Sequence, residues 1–465
     1  MNELMINLKS NGNTPLYEQI YSYIKQDIQK GHIPCKEKLP STRSLAKHLE
    51  VSRSTVELAY EQLLSEGYIE SVPCKGFFVS QIESLYPFST IISFDERKVE
   101  EHTESYLYDF TPNGIDLNSF PYRVWRKISR DVLLDDKTEL FKLGDSQGEY
   151  EFRKTICNYL HQARGVNCNP EQVIIGAGNE YLLMLLNTII GSGQKIAFEN
   201  PTYKRAYKLF QNLSHEVYAV DMDSKGMNIT TLMESGANMA YVMPSHQYPL
   251  GIVMPIQRRL ELLKWAAKEE RRYIIEDDYD SEFRYKGKPI PALQGYDAND
   301  KVIYLGTFSK AIAPAIRMSY MVIPKRLLNA YQKNTQFLSS TVSKVDQYIV
   351  ETFMKQGYYE RHLNKLRAMY KSRHDKLLSC LKQLQGKCRI SGEHAGVHLL
   401  LSFSNDNTEE ELIYKAQKVG VKVYGLSEYY AKQDTKKSPT ILLGYANISE
   451  DEIEKAVQLL AQAWI

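Results

Sequence analysis

Two ionisable residues in this chain are each delivered by an apolar, strand-like run. Asp277 lies in Tyr273-Ile274-Ile275-Glu276-Asp277-Asp278-Tyr279-Asp280, and Lys310 ends Tyr304-Leu305-Gly306-Thr307-Phe308-Ser309-Lys310. In open α/β sheets, ligands bind outside the carboxyl ends of the strands. An amine at one strand end can hold an aldehyde as a Schiff base, and an acid at another can keep a pyridine nitrogen protonated. Those are the two needs of pyridoxal 5'-phosphate. Thr307 and Ser309 add hydroxyls suited to phosphate oxygens, and Arg317 adds a bidentate fork. Gly176-Ala177-Gly178-Asn179 joins a strand to a helix, so the backbone N–H groups of Ala177, Gly178 and Asn179 and the helix N-terminus can cradle the same phosphate. Tyr279 can donate to the cofactor's phenolic oxygen, and Tyr203 can stack on its ring. Alone, a Gly turn is usually only a turn, a Lys after Ser a surface residue, and a Tyr a packing residue. The joint order of Gly turn, aromatic, Asp-x-Tyr, Ser-Lys and Arg is far more specific.

The elements that must position these residues read as a large α/β domain. From about Tyr108 onward, strand-like runs such as 173–175, 196–198, 240–243 and 318–322 alternate with amphipathic helices, which implies a mixed, mostly parallel sheet. A long helical stretch is expected over roughly 326–385, and a smaller α+β unit over 390–465. Ser449 and Glu452 have capping-box spacing at the start of the last helix. The region 108–465 is therefore expected to hold cofactor and effector.

The first 80 residues follow another pattern. Thr14 is expected to cap a first helix, with Pro15 as its first residue. Leu16, Ile20, Ile24 and Ile28 make its apolar stripe, and Gly31 ends it. A second helix is expected over about Ser41–Leu49. A third is capped by Ser52, with Val56, Ala59, Tyr60, Leu63 and Leu64 inward. Two strands joined at Pro73-Cys74-Lys75-Gly76 complete a winged helix-turn-helix over residues 10–80. Residues 81–107 show no sustained period and read as a linker.

Composition sets the bounds. The 465 residues suggest two to four domains. With 43% hydrophobic and 25% charged residues, the chain has the make-up of a soluble globular protein. Six scattered cysteines without metal-ligand spacing suggest free thiols in a reducing compartment. No apolar run approaches a membrane span and no signal core opens the chain, so a cytoplasmic location with no membrane partner is expected. A net charge of +2 neither favours nor opposes a polyanionic partner. Residues 1–80 hold nine Lys/Arg and nine Asp/Glu, so any DNA-binding charge must be local. Lys36, Lys38, Arg43, Lys47 and Arg53 supply it. Ser52, Arg53, Ser54 and Thr55 stand where a recognition helix presents base-reading side chains. Lys75 and Gly76 stand at the wing tip, suited to phosphate or the minor groove.

On these stretches the chain resembles a known family. Leu39-Pro40-Ser41-Thr42-Arg43 and Val51-Ser52-Arg53-Ser54 resemble a GntR-type winged helix. Pro244-Ser245-His246-Gln247, 275–283 and 306–310 resemble a fold-type I aminotransferase. The combination is similar to the MocR/GabR family of bacterial transcription regulators and covers nearly the whole chain. The resemblance implies that Lys310 carries the cofactor and Asp277 pairs with its ring nitrogen. It also implies Tyr279 as the partner of the phenolic oxygen, and Arg317, Ser309, Thr307 and the 177–179 backbone as the phosphate site. It places Ser41 and Arg43 with Ser52–Thr55 on the DNA side, and it implies a homodimer, which also suits two operator half-sites.

Two departures stand against efficient transamination. The family's Asn-Pro-x-Gly turn reads Tyr248-Pro249-Leu250-Gly251 here. The arginine that clamps a substrate carboxylate is missing: one register puts Glu428 there, another Leu442. Arg205 remains as a carboxylate partner. The expected function is a ligand-responsive DNA-binding regulator, whose effector is an amino compound or pyridoxal phosphate itself. Two alternatives stand beside it: a working aminotransferase with a DNA-binding extension, and a winged-helix protein whose large domain is only a dimerisation scaffold.

Overall fold

Short amphipathic segments with strong caps open the chain. Helix α1 spans Leu16–Gln29 and buries Ile20, Ile24 and Ile28. Its N-cap is Pro15, one residue later than expected: at ψ 148° Pro15 lies outside the helix, and its carbonyl accepts from Glu18 and Gln19. Gly31 ends α1 with φ +75°. Helix α2, Thr42–His48, is capped by Ser41, whose Oγ accepts from the Ser44 N–H at 3.2 Å. Helix α3, Arg53–Ser65, is capped in the same way by Ser52. Strands β1 (Ile69–Val72) and β2 (Gly76–Val79) form the antiparallel wing. Residues 36–39 also pair with β2, through Lys36 N to Val79 O at 2.9 Å and Leu39 N to Phe77 O at 2.9 Å. No apolar alternation in 36–39 announces that bridge. Tyr60 is buried against Phe77 and donates to the Pro40 carbonyl at 2.9 Å, which ties α3 to the chain before α2.

The computed structural model describes residues 6, 8, 14–81, 106–134, 138–285, 289–393, 395–404, 407–432 and 438–464. The chain divides into two compact units, 1–102 and 103–465. Most of the expected 81–107 linker lies outside the described residues.

The second unit begins with β3 (Tyr108–Asp109) and helices α4 (Tyr122–Leu134) and α5 (Tyr150–Arg164). Strand β4 (Val173–Gly176) leads into helix α6 (Asn179–Ile190). Five further strands follow in order: β5 (Lys195–Asn200), β6 (Glu216–Asp223), β7 (Gly226–Met227), β8 (Met239–Val242) and β9 (Tyr273–Asp278). Strands β10 (Val302–Thr307) and β11 (Ser319–Val322) complete one eight-stranded sheet of order β4-β11-β10-β9-β8-β5-β6-β7. The central strands run parallel; β11 is antiparallel to both its neighbours. Their near-continuous apolar sequences fit burial on both faces. Strands β6 and β7 were not legible in the sequence, because the exposed edge positions of β6 break its apolar run.

The expected long helix is three segments, 328–335, 344–355 and 358–380. Ser343 caps the second, and Gly357 at φ +71° turns the chain into the third. The C-terminal sheet contains β12 (Cys388–Ser391), β13 (His398–Phe403), β15 (Tyr424–Gly425) and β16 (Thr440–Gly444). Strand β14 (Val421–Lys422) instead pairs in parallel with β3, so this small layer takes in the start of the unit. Ser449 and Glu452 form the expected reciprocal cap on the last helix, Glu450–Trp464.

One buried ion pair braces the sheet. Arg164, at the end of α5, reaches Asp278 of β9 at 2.8 Å, and both side chains are 3% exposed. Its guanidinium also donates to Ser245 Oγ at 2.6 Å, and Tyr304 of β10 donates to Asp278 at 2.5 Å. Removing one partner of a buried pair strands the other charge and costs about 3–5 kcal/mol. Arg164→Ala should lower the urea midpoint of the large unit accordingly, and a midpoint within experimental error of the parent would contradict this account.

Candidate cofactor site and DNA-binding face

Strands β9 and β10 are parallel neighbours with Leu305 opposite Asp277, so both carboxyl ends open on one cleft. The strand period of two sorts the three acids of β9. Glu276 accepts from the Leu293 and Gln294 N–H groups at 2.7 and 2.8 Å, Asp278 takes Arg164, and Asp277 faces the cleft. The cleft, about 190 Å³, is lined by Asn179, Tyr203, Arg205, Asp277, Tyr279, Thr307, Ser309, Lys310 and Arg317 from among the residues the sequence points to. Tyr248, of the turn that departs from the family pattern, lines it too, and it adds Asn113, Glu180, Met243 and Pro314, which the sequence does not point to. Proline and methionine carry no chemical signal, and Asn113 arrives from the far end of the unit.

The Lys310 amine is buried and has no hydrogen-bond partner. Burial pushes its pKa down to about 8, with Asp280 opposing. Asp277 accepts from the Tyr241 hydroxyl and, at 3.3 Å, from Asn179 Nδ2. Burial raises its pKa to about 7, although Tyr241 pulls the other way. A buried amine without a partner and a buried acid without a cation are both costly in isolation. An aldehyde and a pyridinium nitrogen would satisfy the two at once, so these residues fit pyridoxal phosphate.

The phosphate end is more nuanced than expected. Arg317 sits at φ +47°, and its Nη2 donates to Glu180 at 2.8 Å. Gly178 takes φ +96°, a conformation that L side chains rarely adopt, and its open α-carbon leaves room for that guanidinium. The Ala177 N–H is engaged with Thr341 Oγ1 at 3.1 Å, and the Gly178 N–H with the Gly176 carbonyl at 2.8 Å. Neither residue lines the cleft, which leaves Asn179, at the start of α6, as the part of that turn at the site. Thr307 Oγ1 accepts from the Ser309 N–H at 3.1 Å and from Ser319 at 2.9 Å, which fixes the approach to Lys310.

The aromatic wall is tied together by hydrogen bonds. Tyr248 donates to Tyr429 at 2.9 Å and accepts from Asn113 at 3.1 Å; burial first, and Tyr429 second, push its pKa up. Tyr203 lies edge-on to Tyr248, with its pKa raised to about 12 by burial. Tyr279 meets His246 Nδ1 at 2.9 Å, and the same nitrogen lies 2.8 Å from Asp280. His246 belongs to a stretch that the sequence reading quoted without giving it a role. Arg205 is at the cleft mouth, 76% exposed and 3.9 Å from Glu180. Glu428 is exposed and Leu442 is packed in a core cluster, and neither lines the cleft.

In the first unit, Ser41 and Ser52 spend their hydroxyls as helix caps. Ser54 and Thr55 both hydrogen-bond to Ser52 Oγ, at 2.8 and 2.7 Å. Arg53 is exposed and paired with Glu57 at 2.7 Å, one turn on. Arg43 is exposed on α2. Lys75 is exposed at the wing turn, and Gly76 holds φ +108° beside the Lys38 stem. Among the described residues no cluster could hold a metal, and no helix is long and apolar enough to cross a membrane.

A winged helix joined to an aminotransferase-type sheet defines the class: a transcription regulator with an enzyme-like domain. Residues 113–460 match the aminotransferase class I and II family, and residues 16–79 match the gntR family of bacterial regulatory proteins. The chain belongs to the MocR/GabR family of regulators. It is 41% identical over 97% of its length to an uncharacterized HTH-type transcriptional regulator, YdeL, of Bacillus subtilis, 97% of which is covered. It is 28% identical to the probable rhizopine catabolism regulatory protein MocR of Rhizobium meliloti, over 99% of this chain and 96% of that one. It is also 28% identical to the pyridoxine biosynthesis regulator PdxR of Corynebacterium glutamicum, over 99% and 98%. In fold the chain is similar to a kynurenine aminotransferase from Pyrococcus horikoshii, with a TM-score of 0.68 at 24% identity over 78% of this chain and 91% of that one. That aminotransferase fold family is pyridoxal-phosphate-dependent.

Because only the neutral amine attacks an aldehyde, Lys310 should be trapped by pyridoxal phosphate and borohydride at a rate that rises through about pH 8. A rise centred at the ordinary lysine value near 10.4 would show that burial does not tune this amine.

Proposed function

We propose that this regulator binds pyridoxal phosphate on Lys310 and answers to a ligand there with a change in DNA binding. The observation that carries this reading is the Lys310 amine, buried without a partner in the cleft that Asp277 also lines. When bound, the cofactor supplies an aldehyde for amines and a ring that draws electrons. Lys310 holds the aldehyde and Asp277 keeps the ring nitrogen protonated. Tyr279, steadied by His246, donates to the phenolic oxygen, and Tyr203 covers the ring. Arg317, Ser309, Thr307 and the start of α6 take the phosphate. The effector is an amino compound, with Arg205 for an anionic group, or the cofactor itself; similarity to the pyridoxine biosynthesis regulator PdxR supports the latter.

The DNA side of the proposal uses Arg53, Ser54 and Thr55 for bases and Arg43, Lys75 and the Gly76 backbone for phosphates. Ser41 and Ser52 act through capping. Two copies would engage two half-sites in the cytoplasm. A partner copy would also cover Leu133, Leu134, Phe141 and Leu143, which stand exposed in one copy. The described residues lining the cleft include no arginine beyond Arg205 and Arg317. Tyr248 also stands where the family turn carries an amide. Both features favour sensing over turnover.

Lys310→Ala should abolish the visible absorption of the bound cofactor and borohydride trapping while leaving the fold intact. A trapped adduct in that variant would move the assignment to another lysine.

Arg53→Ala should relax sequence preference, since a bidentate base contact is worth about 1–3 kcal/mol. Lys75→Ala should weaken all duplexes alike and lower the salt slope by about one. The deciding comparison is turnover and DNA binding in one preparation. Turnover at about 1–10³ s⁻¹ without sequence-specific binding would overturn the regulator reading in favour of an aminotransferase.

A further inference from the structure

The phosphate end of the cleft already contains an anion. Glu180 lies in the first turn of α6, where the helix N-terminus favours negative charge. Its Oε2 accepts from Arg317 Nη2 at 2.8 Å, and its Oε1 lies 3.9 Å from Arg205 Nη1. The side chain is 37% exposed and lines the cleft. Burial pulls its pKa upward, but its own backbone N–H and then Arg317 and Arg205 hold the carboxyl below its ordinary value. It is therefore ionised at neutral pH. One acidic side chain thus occupies the groups that would otherwise grip a phosphate: a guanidinium, a second guanidinium at the mouth, and a helix N-terminus. Gly178, at φ +96° beside the guanidinium, leaves space for it there.

We infer that Glu180 is a built-in competitor for the cofactor's phosphate, and that this carboxylate sets how tightly the site holds phosphate. The inference rests on the reading that Arg317 and the start of α6 are the phosphate site. An incoming phosphate dianion meets Arg317 with part of its fork committed, and it meets a like charge within contact range. Binding requires Arg317 to be shared or released. The carboxylate that gives way is left beside Arg205, its other cationic neighbour. Among the described residues, the remaining ionisable groups lining the cleft are Lys310, Asp277, Tyr203, Tyr248 and Tyr279. The three phenols stay neutral because burial raises each pKa. Lys310 and Asp277 are assigned to the aldehyde and the ring nitrogen. Among the described residues Glu180 is thus the one lining acid set against the phosphate. A site built for permanent occupancy gains nothing from such a residue, whereas a site that must fill and empty with cofactor supply does.

The test uses the full-length protein and three probes: pyridoxal phosphate, pyridoxal without its phosphate, and inorganic phosphate. Glu180→Gln keeps shape and hydrogen bonding but removes the like charge, and Glu180→Ala removes the group altogether. Both should bind pyridoxal phosphate and inorganic phosphate roughly tenfold more tightly than the parent, the effect of one unit charge at contact range in a partly screened site. Pyridoxal affinity should stay within about twofold. Glu180→Asp should keep the parent's weaker phosphate binding. Unchanged or weaker phosphate binding in Gln and Ala variants that still take pyridoxal normally would overturn the inference, because Glu180 would then be orienting Arg317 rather than competing. Failure of the cofactor reading looks different: the parent itself would show no Lys310-dependent uptake of either aldehyde.

Discussion

Desolvation of two opposite charges at the carboxyl edge of one parallel sheet is the constraint on which this molecule depends. Lys310 and Asp277 are held in a cleft where water cannot satisfy them, and their pKa values move toward neutrality from opposite sides, to about 8 and about 7. A core would exclude such groups, and a surface would solvate them. Holding them dry requires rigid support, and the sheet supplies it. β9 and β10 pair in parallel over five residues, and β11 returns antiparallel to deliver Arg317 to the same edge.

The support continues behind the cleft. Strand alternation turns Glu276 and Asp278 away from Asp277, and each finds its own donors: two backbone N–H groups for one, Arg164 and Tyr304 for the other. Three consecutive acids can therefore share a strand without facing each other. Tyr279 is held similarly, through His246, which is buried and meets Asp280. These neighbours limit the rotation of the side chains that face the ligand, which is the usual way a site is kept within reach of its working geometry.

The N-terminal unit relies on different physics. Its surface has no excess of positive charge, and its interior is a small apolar cluster built from three helices and the wing. Ser41 and Ser52 cap consecutive helices, so the same short motifs that mark the family also fix where α2 and α3 begin. Arg53 stands free of the core and pairs with Glu57 one turn away, a pairing of the exposed kind that is worth little and is easily exchanged for a stronger partner.

Sequence alone determined what local chemistry and periodicity can encode. The caps at Ser52 and Ser449 were legible, as were the apolar stripe of α1, the wing and most of the central strands, because each depends on neighbours within a few residues; Ser41, read as the start of α2 on the DNA side, is its cap. So were Asp277, Tyr279, Lys310 and Arg317, whose types and order are unusual together. Tertiary structure decided what depends on distance through space. It placed Glu180 on Arg317, brought Asn113 and Tyr429 to Tyr248 across more than a hundred residues, and gave His246 its partners. It committed the Ala177 N–H to Thr341, so that part of the expected phosphate cradle is already engaged. It also paired 36–39 with the wing and Tyr108-Asp109 with Val421-Lys422, which no local pattern announces. The physical reason is the same in each case. A cap or a stripe is written in spacing along the chain, whereas burial, and the partner a buried group must find, exist only once the chain has folded.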